Sequence, residues 1–235
     1  MSAGSIALDG GHAEVQDPMP GVTNGKLAMW LFLVSDAMSF IGLLAAYVAV
    51  RWTFPHDLVV PEVGAWDPTK WFGNFGIQLT AFNTFVLICS SVTMVQGLAA
   101  FQEGNLRRGR AFLLATAFGG AIFLGVQAYE WTHMIHETAV FDADAGAWVT
   151  SHDHDAGGTH VKHIDHNLQA ATFYATTGFH GCHVFGGVVL LLLTFALGMM
   201  GFKTWLEPNT IEVVGLYWHF VDLVWILIFT FVYLI

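Results

Sequence analysis

Seven ionisable side chains stand inside long apolar stretches of this 235-residue chain: Asp36, Glu130, His133, His180, His183, His219 and Asp222. Such groups are costly in hydrocarbon and turn towards the interior of a helix bundle. Six of them form i, i+3 pairs, Glu130/His133, His180/His183 and His219/Asp222. That spacing keeps each pair on one helix face, so three polar faces can converge between helices. Three chemistries fit the set. A metal site would resemble the Glu-x-x-His arrangement of di-iron bundles, with ligands from facing helices. A proton-conducting chain would link carboxylates to imidazoles across the span. A hydrogen-bonded network would instead fix helix packing, each polar group satisfying the next. Gly119, Gly120, Gly178, Gly181, Gly186 and Gly187 favour close backbone approach, and so favour packing.

Asp36 stands apart, in the segment FLVSDAMSF, with no basic partner on its own helix. The structural alternative to a functional role is a protonated acid that donates to a backbone carbonyl or to Ser35 or Ser39.

The elements that hold these residues follow from composition. The chain is 55% hydrophobic and only 11% charged, against about 25% charged in a soluble domain. Leu27–Val50 carries Asp36 alone, Ile77–Phe101 no ionisable group, and Ala111–Tyr129 none before Glu130. Leu168–Phe202 carries only His180 and His183, and Val213–Ile235 only His219 and Asp222. About 20 apolar residues cross the hydrocarbon core as a helix, and in lipid the backbone must satisfy its own hydrogen bonds. The expected fold class is therefore all-α, a polytopic bundle of five transmembrane helices. Alternating barrel patterning is absent.

The expected order is a polar tail (1–24), helices over 25–52, 77–101, 110–135, 168–202 and 212–235, and outer loops over 53–76 and 136–167. Residues 25–235 are expected to fold as a single membrane domain. The tail has no basic cluster ahead of an apolar stretch, so it does not read as a cleaved signal. Arg107, Arg108 and Arg110 mark the second turn as cytoplasmic by the positive-inside rule. Alternation then puts the N-terminus, Lys26 and Lys203 inside and the C-terminus outside. The outer loops hold nine carboxylates, which accounts for the net charge of −10 without a basic partner, and nucleic-acid binding is not expected. Cys89 and Cys182 lie within spans as small apolar residues. The segment SHDHDAGGTHVKHIDH has little to bury and is expected to be mobile. Its His152, His154, His160, His163 and His166 are chemically able to bind zinc, copper or nickel. Their irregular spacing points instead to a solvated loop that docks a neighbouring subunit. Arg51, Arg107 and Lys203, near helix ends, are candidate contacts for lipid headgroups.

Five segments in order carry a family resemblance: FLVSDAMSF, FNTFVLICSSVTM, VQAYEW, YATTGFHGCHVFGG and GLYWHFVDLVWILIFTFVYLI. From about Lys26 to Ile235, the two outer loops apart, the chain resembles subunit III of the haem–copper terminal oxidases, in the five-helix bacterial form. The resemblance implies a subunit of a bacterial inner membrane that holds no redox centre. Haems and copper lie in partner subunits, and the chain packs on catalytic subunit I and other oxidase subunits, with membership of a respiratory supercomplex open. It implies two helix groups around a cleft filled with structural phospholipid. It also implies a role in oxygen access and proton uptake during aerobic electron transport coupled to proton translocation. Glu130, His180, His183, His219 and Asp222 match motif positions that serve interhelical polar contacts.

Asp36 departs from the pattern. The family's cytochrome c oxidases usually carry Glu there, whereas many quinol oxidases carry Asp. VQAYEW and YWHFVDLVW look more like cytochrome c oxidases, and an aa3-type enzyme is the favoured reading. A self-sufficient membrane metalloenzyme would want histidine clusters at one depth, and a transporter would want broken helices at the midplane. Neither pattern is evident.

Overall fold

A computed structural model describes residues 23–53, 74–136, 139–142, 147–150, 161–162 and 168–234. Among these, helix α1 spans Asn24–Thr53, α2 Asn74–Gln102, α3 Leu106–His136, α4 Leu168–Met199 and α5 Pro208–Phe229. A 3₁₀ turn over Lys203–Leu206 joins α4 to α5, and a π-helical turn over Thr230–Leu234 closes the chain. All five helices are long and apolar enough to cross a membrane.

The helix ends have local causes. After α2, Gly104 takes φ +77°, and the Asn105 N–H returns to the Ala100 carbonyl at 2.9 Å. Left-handed glycine closures of this kind satisfy the last free carbonyls of a helix. Asn105 Oδ1 then accepts from the Arg108 N–H at 3.1 Å, an N-terminal cap. α3 therefore begins four residues before the expected 110, and Arg107, Arg108 and Arg110 ride on its first turns rather than in the connection. Cations are unfavourable at a helix N-terminus. Arg108 relieves this by lying 5.5 Å from the Phe112 ring centroid, and Arg110 Nη2 reaches the Gly198 carbonyl at 3.5 Å, at the electronegative end of α4. α4 stops at Met199, short of the expected 202, where Gly201 takes φ +98°. α5 starts at Pro208 rather than 212, because proline at the first helical position loses no hydrogen bond.

Packing runs from α2 to α3, α3 to α4, α4 to α5 and α5 back to α2, while α1 lies on α4 and α5. Four of the helices close a ring in this way, and α1 lies against its outside. The buried core is aromatic and aliphatic, with Tyr47, Leu87, Phe123, Phe173, Leu191, Trp218 and Trp225 at its centre. Between α3 and α4, β1 (Ala139–Asp142) pairs antiparallel with β2 (Ala147–Thr150) and β3 (Val161–Lys162), in the order β2-β1-β3. These strands fall in a stretch where the composition predicts only a loop.

Trp218 is the central wedge. Its ring fills the gap left by Gly120 of α3 and Gly187 of α4. A methyl group on Gly187 would lie 2.9 Å from the indole, and one on Gly120 would intrude on both Trp218 and Val188. Gly119 likewise admits Ser90, and Gly178 admits Trp131. Four of the six glycines singled out by spacing thus mark close approaches. Gly181 faces nothing within 4 Å, and Gly186 meets only the Tyr217 hydroxyl at 3.6 Å.

Candidate functional site

α2 is the polar hub of the bundle. Its side chains turn towards α5 or α3, and two of their partners, Glu130 and Asp222, are residues that the sequence singled out. Towards α5, Ser91 Oγ donates to Asp222 Oδ2 at 2.6 Å. One turn either side, Trp225 Nε1 donates to Thr84 Oγ1 at 2.9 Å and Trp218 Nε1 to Ser90 Oγ at 3.1 Å. Trp218, Asp222 and Trp225 are spaced i, i+4, i+7, so one face of α5 meets one face of α2 as an antiparallel polar zipper. The two hydroxyls can accept from tryptophan because their own hydrogens go to backbone carbonyls, Thr84 to Thr80 and Ser90 to Leu87. Towards α3, Thr80 Oγ1 donates to Glu130 Oε1 at 2.8 Å, while Gln127 Nε2 approaches Oε2 at 3.4 Å. Asn83 Nδ2 donates to the Phe123 carbonyl at 3.2 Å, and the Thr93 and Thr116 hydroxyls meet at 2.8 Å.

α1 joins α4 through Asp36. His183 Nε2 lies 3.1 Å from Asp36 Oδ2, at ion-pair distance but without the alignment of a hydrogen bond. Nδ1 of the same ring meets the Phe179 carbonyl at 2.7 Å. The partner missing from Asp36's own helix is therefore on α4. Ser35 and Ser39 spend their hydroxyls on the Phe32 and Ser35 carbonyls instead. α1 is fastened near its start to α5, by Lys26 Nζ to Glu212 Oε2 at 2.8 Å, and near its end to the π-helical turn, by Arg51 Nη1 to the Val232 carbonyl at 3.3 Å.

Glu130, Asp222 and Asp36 each bridge a different pair of helices. His180 breaks the expected pattern. It is buried at 1% exposure, stacked on Trp225 at 5.0 Å with Phe123 at its edge, and neither ring nitrogen has a hydrogen-bond partner among the described residues. Its neighbours are Phe40, Phe123 and Trp225, whose rings offer faces and edges rather than acceptors. His219 stands one turn before Asp222 on α5. The His133 side chain lies outside the described residues, as do His152, His154, His160, His163 and His166. Among the described residues no three His, Cys, Asp or Glu side chains gather as a metal-binding set.

A sequence profile described as Cytochrome c oxidase subunit III matches residues 8–165 and 160–235. The chain belongs to the cytochrome c oxidase subunit III family. Cytochrome c oxidase subunit 3 of Synechocystis is 32% identical over 206 residues, covering 87% of this chain and 73% of the relative. Cytochrome c oxidase subunit 3 of Bacillus subtilis is 30% identical over 212 residues, covering 90% and 86%. Probable cytochrome c oxidase subunit 3 of Nocardia farcinica is 30% identical over 205 residues, covering 87% and 85%. As a subunit III of the haem–copper oxidases, this multi-pass membrane chain is one component of an oxidase complex.

Sequence reasoning missed the polar side chains of α2 that make these links in this subunit III: Thr80, Asn83, Thr84, Ser90, Ser91 and Thr93. A signal was present, since Thr80, Thr84 and Ser91 repeat at four and seven residues along an otherwise apolar helix. Of the candidate lipid contacts, Arg107 is exposed near the α2–α3 turn. Arg51 turns inward to Tyr47 and Val232, so part of its donor capacity is already used. The Lys203 side chain lies outside the described residues.

Proposed function

We propose that this chain is the accessory subunit III of an aa3-type cytochrome c oxidase in a bacterial plasma membrane. It holds no haem or copper, packs on catalytic subunit I and other oxidase subunits, and binds structural phospholipid. Through that lipid it supports oxygen access and proton uptake, and it keeps the catalytic subunit active through many turnovers. Its N-terminus faces the cytoplasm and its C-terminus the outside, because Lys26, Arg107, Arg108, Arg110 and Lys203 fall on one side. Residues 25–235 act as one membrane domain.

The observation that carries this reading is how the buried carboxyl groups are used. Asp36, Glu130 and Asp222 are each spent on a neighbouring helix, as suits a scaffold. The names of the relatives from Synechocystis and Bacillus subtilis support cytochrome c as electron donor. Asp36 favours a second reading, a quinol oxidase. The two separate in one experiment: the oxidase is purified through a tag on this chain and supplied with reduced cytochrome c or with a quinol. Oxygen consumption driven by cytochrome c supports the proposal, and consumption driven by quinol alone replaces it with the second reading.

A further inference from the structure

We propose that the centre of the four-helix ring is a binding site for internal water, held between His180 of α4 and Asn83 of α2. Four side chains, one from each helix of the ring, meet at this level: Asn83, Phe123, His180 and Trp225, none more than 1% exposed. Trp225 stacks on His180 at 5.0 Å, and the Phe123 ring lies 5.8 Å from His180 and 4.7 Å from Trp225. Asn83 Nδ2 closes the layer by donating to the Phe123 carbonyl at 3.2 Å. Packing runs around the ring from α2 to α3, α4 and α5, so α2 and α4 stand opposite each other. Their side chains approach across its centre.

Two members of this layer are polar and short of partners. Among the described residues, neither ring nitrogen of His180 nor Oδ1 of Asn83 has a hydrogen-bond partner. The Phe123 carbonyl fixes which end of the amide is which, because it accepts from Nδ2 and would repel Oδ1. A neutral imidazole carries one N–H donor and one acceptor nitrogen, and Oδ1 is an acceptor. The layer's remaining polar hydrogen, the Trp225 indole N–H, goes to Thr84 Oγ1 at 2.9 Å. Water completes the set, since one molecule accepts from the imidazole N–H and donates to Oδ1. Left unpaired, each group would carry its full desolvation penalty, whereas a water bonded to two to four buried polar groups is a regular part of protein interiors. An apolar occupant would neither donate nor accept. A cation would want a carboxylate, and those of Glu130 and Asp222 are engaged by Thr80 and Ser91.

The test is a cryo-electron-microscopy map of the intact wild-type oxidase at a resolution that shows ordered water, read together with the rate at which heating releases this chain. A solvent peak within about 3.2 Å of both a His180 ring nitrogen and Asn83 Oδ1 is expected. A map with ordered water elsewhere in the complex and none at His180 overturns the proposal. His180→Phe and Asn83→Leu each remove one partner of the water and strand the other. Each is expected to hasten release about tenfold at a fixed temperature. The double variant is expected to gain less than the product of the two, because both act on one water. Rates that simply multiply overturn the proposal. So does release of His180→Phe as slow as wild type or slower, since replacing an unpaired imidazole with a ring of similar size removes a penalty rather than a bond.

Discussion

Gly120→Ala is the sharpest perturbation of the packing described above. The added methyl intrudes on Trp218 and Val188 together. Trp218 is 1% exposed, its other face is held by Gly187, and its indole N–H is committed to Ser90, so the ring has no room to retreat. Overpacking a tight core costs about 1–3 kcal/mol, and a two-sided clash belongs at the upper end. Alanine regains about 1 kcal/mol of helix propensity over glycine. The net loss is about 2 kcal/mol, or about thirtyfold in the folded-to-unfolded ratio. Gly181→Ala and Gly42→Ala are internal controls, since neither glycine has a neighbour within 4 Å of an added Cβ. They are expected to be neutral or slightly stabilising. Thermal release of this chain from the purified complex reads all three. Gly120→Ala behaving like Gly181→Ala would refute the wedge.

Ser91→Ala removes the donor to Asp222, whose Oδ1 already has no partner among the described residues. The expected cost is about 1–3 kcal/mol, seen as a lowered midpoint that Ser91→Thr restores. Glu212→Gln breaks the pair with Lys26, in which Glu212 is 37% exposed. It is expected to cost less than about 1 kcal/mol, and the difference from wild type should vanish in high salt. A peptide covering 137–167, titrated with zinc or copper at neutral pH, is expected to bind no stoichiometric metal. Submicromolar one-to-one binding that survives competition would contradict this. Asp36→Asn in the intact oxidase is expected to leave assembly and initial rate near wild type and to shorten the active lifetime. A wild-type lifetime over many turnovers would leave Asp36 a purely structural role.

The five spans were legible because apolar length in a membrane is a coarse, additive property that needs no knowledge of neighbours. The acids were legible as interior residues for the same reason. Their partners were not, because Asp36 meets His183 across 147 positions and Asp222 meets Ser91 across 131, and helix periodicity reports only its own face. Shared faces suggested that His180 and His183 would act together. They differ by about 60° around the helix, enough to put one ring on Trp225 and the other on Asp36. Helix ends went wrong where a cap decides them. Asn105, Gly201 and Pro208 each moved a boundary by several residues, although each is a recognisable signal.

The proposed role of this subunit is to sustain an oxidase whose redox centres lie elsewhere. The measurement is to strip the chain from the purified complex, assay haem and copper in the remainder, and follow oxygen consumption over many turnovers. Unchanged haem and copper, a near-normal initial rate and a shortened active lifetime are expected. Loss of haem or copper with the chain, or a lifetime equal to that of the complete complex, would contradict it.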